Sequence, residues 1–233
     1  MNTDLQTKGS SKIPQRRLAL WAGGSLLLIV VFVGLAEGLG LAGILVEGDA
    51  ASSFANLAAN ERRFRFGVLM HALVVLFDLV AAWALYLFLK REAPELSLLA
   101  GWMRLVYSVL YGAALFSLVQ ALQLVSGAGY LAGFTQSALE AQTMLALTAF
   151  RSGWNLAFIF FGVHLLALGW AALSGSQIPR WIAWLLALGG LAYLFDYVSL
   201  LLLGEYIVET SLLLGWGEVI LIGWLLWKGG KDE

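Results

Sequence analysis

The chain has 233 residues, 61% of them hydrophobic and only 12% charged, with a formal net charge of -1 at pH 7. So apolar a composition excludes an ordinary soluble domain, and the near-zero charge leaves no basic field for nucleic acid. The absence of cysteine excludes a disulfide framework, a thiolate metal site and a cysteine nucleophile.

Lys8, Lys12, Arg16 and Arg17 precede an apolar run from Leu18 to about Leu39. A secretory signal has a core of roughly 7–15 apolar residues, so this longer run reads as a retained first span. At about 20 apolar residues per crossing, the sequence predicts helices over 18–39, 66–89, 96–125, 143–173, 181–203 and 211–227. The fold class expected is all-α, a six-transmembrane-helix bundle in the lipid bilayer. A basic tail (1–17) precedes one transmembrane domain (18–228), and a short tail (229–233) follows it.

The first connection, residues 40–65, is the longest. Asp49 is an N-cap candidate there, followed by Ala, Phe and Leu at helical spacing up to Asn60, which predicts a short interfacial helix on the outer surface. Residues 126–140, with Gly127, Gly129 and Gly133, read as a second outer loop. Gly189-Gly190 is the only conspicuous break expected inside a span. Gly34 with Gly38, and Gly112 beside Ala113, read as sites of close helix packing.

Loop charges orient the bundle. Lys8, Lys12, Arg16, Arg17, Lys90, Arg91, Arg180, Lys228 and Lys231 fall on one side, against Arg62, Arg63 and Arg65 on the other. The excess places both termini in the cytoplasm, which needs an even number of spans. Trp21, Trp83, Trp102, Trp170, Trp181, Trp184, Trp224 and Trp227 fall mostly near the cytoplasmic ends, as an aromatic belt would. Leu76-Phe77-Asp78-Leu79-Val80 also matches Leu194-Phe195-Asp196-Tyr197-Val198, a pattern that an inverted repeat would produce.

Ionisable residues within the spans mark the candidate site, because a charge in hydrocarbon is costly and is normally paired, cavity-facing or functional. The candidates for binding a ligand or ion are Glu37, His71, Asp78, Arg104, Arg151, Asn155, His164, Asp196 and Glu218. His71 and Asp78, seven residues apart, share a helix face. Arg104, Tyr107 and Tyr111 form a polar stripe, with Asp78 the partner whose depth best suits Arg104; snorkelling and anion binding are the other readings. Arg151 and Asn155 project together at i, i+4.

His164 reads as a hydrogen-bonded core residue, with ligand and proton-carrier roles as alternatives. Four acids, Glu37, Asp78, Asp196 and Glu218, outnumber the cations Arg104 and Arg151, so either some acids are protonated or a cation joins them. Two histidines exclude a three-histidine zinc site. They leave His71, Asp78 and His164 as weak metal candidates, and at unlike depths they suit a haem poorly. No P-loop, Rossmann fingerprint, H-E-x-x-H or G-x-S-x-G is present.

Several stretches together resemble the uncharacterised bacterial membrane proteins grouped as domain of unknown function 4386. They are Gly48-Asp49-Ala50-Ala51, Asn60-Glu61, Phe64-Arg65, Asp78 with Ala84-Leu85-Tyr86, Phe161-Gly162-Val163-His164-Leu165-Leu166, Ile178-Pro179-Arg180, Tyr193-Leu194-Phe195-Asp196, Gly217-Glu218 and Trp224-Leu225-Leu226-Trp227-Lys228. The resemblance runs from about Leu18 to Gly229 and implies a six-span protein of the bacterial inner membrane. It supplies no reaction and no cofactor. The favoured reading from the residues is a protein that binds or transports a cation or small polar ligand in an outer-half acidic cavity. A non-catalytic membrane scaffold or regulator comes next, and an intramembrane metal-dependent hydrolase last.

Overall fold

Helix dominates the computed structural model, which describes residues 13–231. Lys8 and Lys12 of the basic tail lie outside the described residues, as do the last two positions of the C-terminal tail. In chain order the helices are α1 (Gln15–Leu35), α2 (Ala50–Ala59), α3 (Glu61–Leu89), α4 (Pro94–Leu124), α5 (Gln136–Ser174), α6 (Arg180–Leu203), α7 (Thr210–Leu214) and α8 (Gly217–Trp227). A π-helical segment, Ala36–Leu41, extends α1, and no strand occurs among the described residues. Among the described residues, six spans are long and apolar enough to cross a membrane: Gln15–Leu41, Glu61–Leu89, Pro94–Leu124, Gln136–Ser174, Arg180–Leu203 and Thr210–Trp227.

Local chemistry sets the ends of these elements. Asp49 caps α2: the Ser52 amide donates to its Oδ1 at 2.9 Å and the Ser52 hydroxyl to its Oδ2 at 2.6 Å. Those bonds hold the Asp49 carboxyl below the ordinary aspartate value. Pro94 opens α4 where a missing N–H costs nothing. Gly204, at φ 80°, closes α6 in the left-handed conformation that favours glycine.

Several helices begin earlier than hydropathy alone indicates. α3 starts at Glu61, so Arg62, Arg63 and Arg65 ride on its first turns, where Arg65 pairs with Glu61 at 2.6 Å. α5 starts at Gln136 because the Thr135 hydroxyl accepts the Ala138 amide at 3.2 Å. Polar residues can continue a helix past the apolar limit that hydropathy detects.

The chain divides into two compact units. One holds the described residues up to Leu27, then Leu79–Leu105, and everything from Ile159 onward; the other holds Leu28–Asp78 and Val106–Phe158.

In the unit containing the C-terminus, α6 packs on α7 and α8, and glycine makes the close approaches. A Cβ at Gly190 would lie 2.7 Å from the Gly162 carbonyl oxygen, and one at Gly217 would lie 2.8 Å from the Leu185 carbonyl oxygen. Gly189-Gly190 is therefore a packing surface within an unbroken α6, which corrects the expectation of a break there. The interruption falls instead in the sixth span, between α7 and α8 at Gly215 and Trp216. Arg16 caps the end of that span, donating to the carbonyls of Leu225, Leu226 and Gly229 at 2.6–3.0 Å. On the connections, the Glu92 carboxylate accepts the Ser176 amide, the Ser176 hydroxyl and the Gln177 amide.

In the other unit the π segment presses on α3: a Cβ at Gly40 would overlap the Gly67 backbone. Arg63 donates to the Ala42 carbonyl and Asn56 to that of Gly43 at 3.0 Å, tying the first connection down.

Candidate functional site

In the unit of residues 28–78 and 106–158, the site begins at the π segment. A π turn carries one residue more than an α turn and re-aims the side chains it holds, which is why such turns recur at functional sites. Here it carries Glu37, whose side chain is 33% exposed and sets Oε1 3.2 Å from Nε2 of His71. His71, on α3, is fully buried. Its Nδ1 lies 2.5 Å from the hydroxyl of Tyr111 on α4, itself fully buried.

The tyrosine hydroxyl donates to Nδ1 in the neutral arrangement, leaving the ring hydrogen on Nε2. That nitrogen faces Glu37 off the direction a hydrogen bond needs. Around the imidazole stand Phe150 and Trp154, with ring centroids 5.2 and 5.6 Å away, and Trp154 stacks on Tyr111 at 5.0 Å and 9°. The Trp154 indole donates to the Tyr107 hydroxyl at 3.4 Å. An aromatic wall of this kind excludes water from a chain of three proton-exchanging groups that opens at Glu37.

In the unit containing the C-terminus, Arg104 is buried and its Nη1 lies 2.5 Å from Glu218 Oε1 and 3.1 Å from His164 Nε2. Within this unit Glu218 is a carboxylate partner of Arg104; Asp78, the partner suggested by depth, belongs to the other unit. His164 Nδ1 sits 2.8 Å from the Ala100 carbonyl, which can only accept, so the hydrogen is on Nδ1. Nε2 then accepts from Arg104. Both ring nitrogens of His164 are thus committed to protein partners. Arg104 also lies over the Phe161 ring, 5.6 Å from its centroid.

Asp196 is buried, and its carboxylate accepts the Thr210 amide at 2.9 Å, the Thr210 hydroxyl at 2.7 Å and the Ser211 amide at 2.6 Å. Those bonds anchor the start of the sixth span to α6.

The nine candidates thus separate. Glu37, His71, Asp78, Arg151 and Asn155 belong to one unit; Arg104, His164, Asp196 and Glu218 to the other. Asp78 is buried two turns beyond His71 on α3. Arg151 is exposed and Asn155 partly so. Glu37 and Glu218 are partly exposed rather than buried. Among the described residues no three His, Asp or Glu side chains gather as a metal ion would require. Sequence reasoning missed Trp154, Arg16 and Glu92. Trp154 carries a readable signal, since it repeats with Phe150 and Phe158 at helical spacing and so shares their face.

A family model described as Domain of unknown function (DUF4386) matches residues 21–229. The chain is also similar to an uncharacterized protein of Archaeoglobus fulgidus, 29% identical over 159 residues that cover 68% of this chain and 81% of that protein. No solved structure matches. The chain belongs to the DUF4386 family.

Proposed function

We propose that this member of the DUF4386 family is a six-span protein of the bacterial cytoplasmic membrane, with both termini inside, that takes up a proton at Glu37, His71 and Tyr111. That proton is coupled to the binding or movement of a small polar ligand or cation. The observation that carries the reading is a fully buried imidazole bridging a partly exposed carboxylate and a buried hydroxyl.

The geometry supplies a mechanism. Tautomer exchange moves the ring hydrogen from Nε2 to Nδ1, where Tyr111 rotates its own hydrogen away and accepts; Nε2 is then free to take a proton from Glu37, which leaves an imidazolium beside a carboxylate. The imidazolium would stand beside the Glu37 carboxylate, which compensates its charge away from water.

The chain has two histidines, so histidine-selective nitrogen-15 labelling yields two ring spectra. His164 serves as the internal reference, with its Nδ1 hydrogen on Ala100. Acidifying the sample is expected to add a second proton to His71 in the wild type, and Glu37→Gln to suppress that addition. A His71 spectrum that keeps one form throughout, indifferent to Glu37→Gln, overturns the proposal.

A second reading, a non-catalytic scaffold or regulator, draws on the hydrogen-bonded networks of Arg104 and Asp196, which engage their charges internally.

A further inference from the structure

In the unit containing the C-terminus, α6 and the segment leading through α7 line an open cavity of about 400 Å³, bordered by residues that include Tyr193, Tyr197, Tyr206, Glu209 and Trp216. That volume falls in the range of roughly 300–1,000 Å³ typical of small-molecule sites. None of the function proposed above uses it. Three features define what it would hold.

The first is ring geometry. Tyr193 and Tyr197 stack with centroids 5.9 Å apart and planes 12° apart, and Tyr206 stands edge-on to Tyr197 at 5.9 Å and 83°. Two aromatic walls therefore meet close to a right angle. The Trp216 indole is held in place by its Nε1–H, which donates to the Leu212 carbonyl at 3.2 Å.

The second is charge. Among the described residues of the lining, Glu209 is the only Asp, Glu, Lys, Arg or His, and it is exposed. Between Arg180 and Lys228 the sequence contains no Lys, Arg or His, while it carries Asp196, Glu205, Glu209 and Glu218. Asp196 is occupied with the Thr210 and Ser211 amides and Glu218 with Arg104, whereas Glu209 forms no ion pair among the described residues.

The third is chemistry. The negative faces of tyrosine and tryptophan attract a cation whose charge is spread over methyl groups, and a carboxylate at the rim adds a long-range attraction. A hydrated metal ion would need converging oxygen ligands instead, and the cavity presents rings. An anion would meet Glu209 alone.

We infer that this cavity is a binding site for an organic cation of the quaternary ammonium class. Free choline and the choline headgroup of a lipid share that chemistry, and the cavity lies beside the connection between the fifth and sixth spans, where either source has access.

The test titrates the purified full chain with choline, and in parallel with 3,3-dimethylbutan-1-ol, its neutral isostere, by calorimetry. Choline is expected to bind saturably, and the isostere about tenfold more weakly or worse, since the cation–ring attraction is worth about 1–2 kcal/mol when partly desolvated. Glu209→Gln, an exposed change that leaves packing alone, and Tyr197→Leu should each weaken choline binding about tenfold, while Glu205→Gln, outside the lining, should not.

Equal binding of the isostere, no saturable choline binding, or indifference to both Glu209→Gln and Tyr197→Leu overturns the inference. Nanodiscs of phosphatidylcholine and of phosphatidylglycerol identify the source: competition by phosphatidylcholine alone assigns the headgroup, and equal choline binding in both assigns the free cation. The outcome is independent of the histidine spectra, because none of these variants touches Glu37, His71 or Tyr111.

Discussion

Arg104 shows most clearly what one residue costs and what it needs. A buried guanidinium is tolerated only with a compensating carboxylate and filled hydrogen-bond positions, and Glu218 with His164 supplies both. Removing one member takes a compensating charge contact from the other. Glu218→Gln is expected to lower the unfolding free energy in detergent by about 3–5 kcal/mol, whereas the apolar pair Arg104→Met with Glu218→Leu should recover most of that loss. If the single change proves as mild as the double, the pair is not holding the fold. That Arg104 would need a carboxylate was legible in the sequence. That Glu218 would be such a partner was not, because depth along a span is one coordinate and pairing also depends on the rotation and position of each helix. Asp196 has a structural role that its place in an apolar run does not show: its three hydrogen bonds anchor a helix start.

At the scale of elements, glycines that look alike in sequence do different work. Gly190 sits where a methyl group would press on the Gly162 carbonyl and the Leu166 amide at 2.7 Å, whereas a methyl group at Gly34 would meet nothing within 4 Å. Gly190→Ala should therefore destabilise the protein by about 1–3 kcal/mol through overpacking, and Gly34→Ala should be neutral or stabilise it by up to about 1 kcal/mol through helix propensity. Thermal unfolding of the two variants side by side checks this, and equal shifts would refute it. The helices themselves were legible from apolar length, as was α2 from Asp49 and its following residues. The π segment was not, since its register change is stabilised by the contact of Gly40 with Gly67, and hydropathy is blind to register.

For the whole molecule, the lipid environment explains what would otherwise be faults. Phe116 and Leu202 are 75% exposed, and Trp21, Trp102, Trp181 and Trp227 stand out from their helices by more than half their surface. Such surfaces aggregate in water and are ordinary in a bilayer. The proposed orientation predicts that a cysteine placed at Ser176 is labelled only from the cytoplasmic face and one placed at Thr135 only from the opposite face. The experiment has no background, because the chain has no native cysteine. Labelling of both positions from one side would refute an N-in arrangement of six spans.

Composition and hydropathy alone determined the all-helical class, the number of apolar spans and the residues worth suspecting, because each depends on how much apolar surface a segment must hide and on the cost of charge in hydrocarbon. Tertiary structure decided the partnerships. It set His71 between Glu37 and Tyr111, committed both nitrogens of His164, turned Asp196 into a cap and gathered Tyr193, Tyr197, Tyr206 and Trp216 around one cavity. The reason is physical: hydrogen bonds and ring contacts act over a few ångströms between residues as many as 213 positions apart, and no local pattern in a chain encodes a distance of that kind.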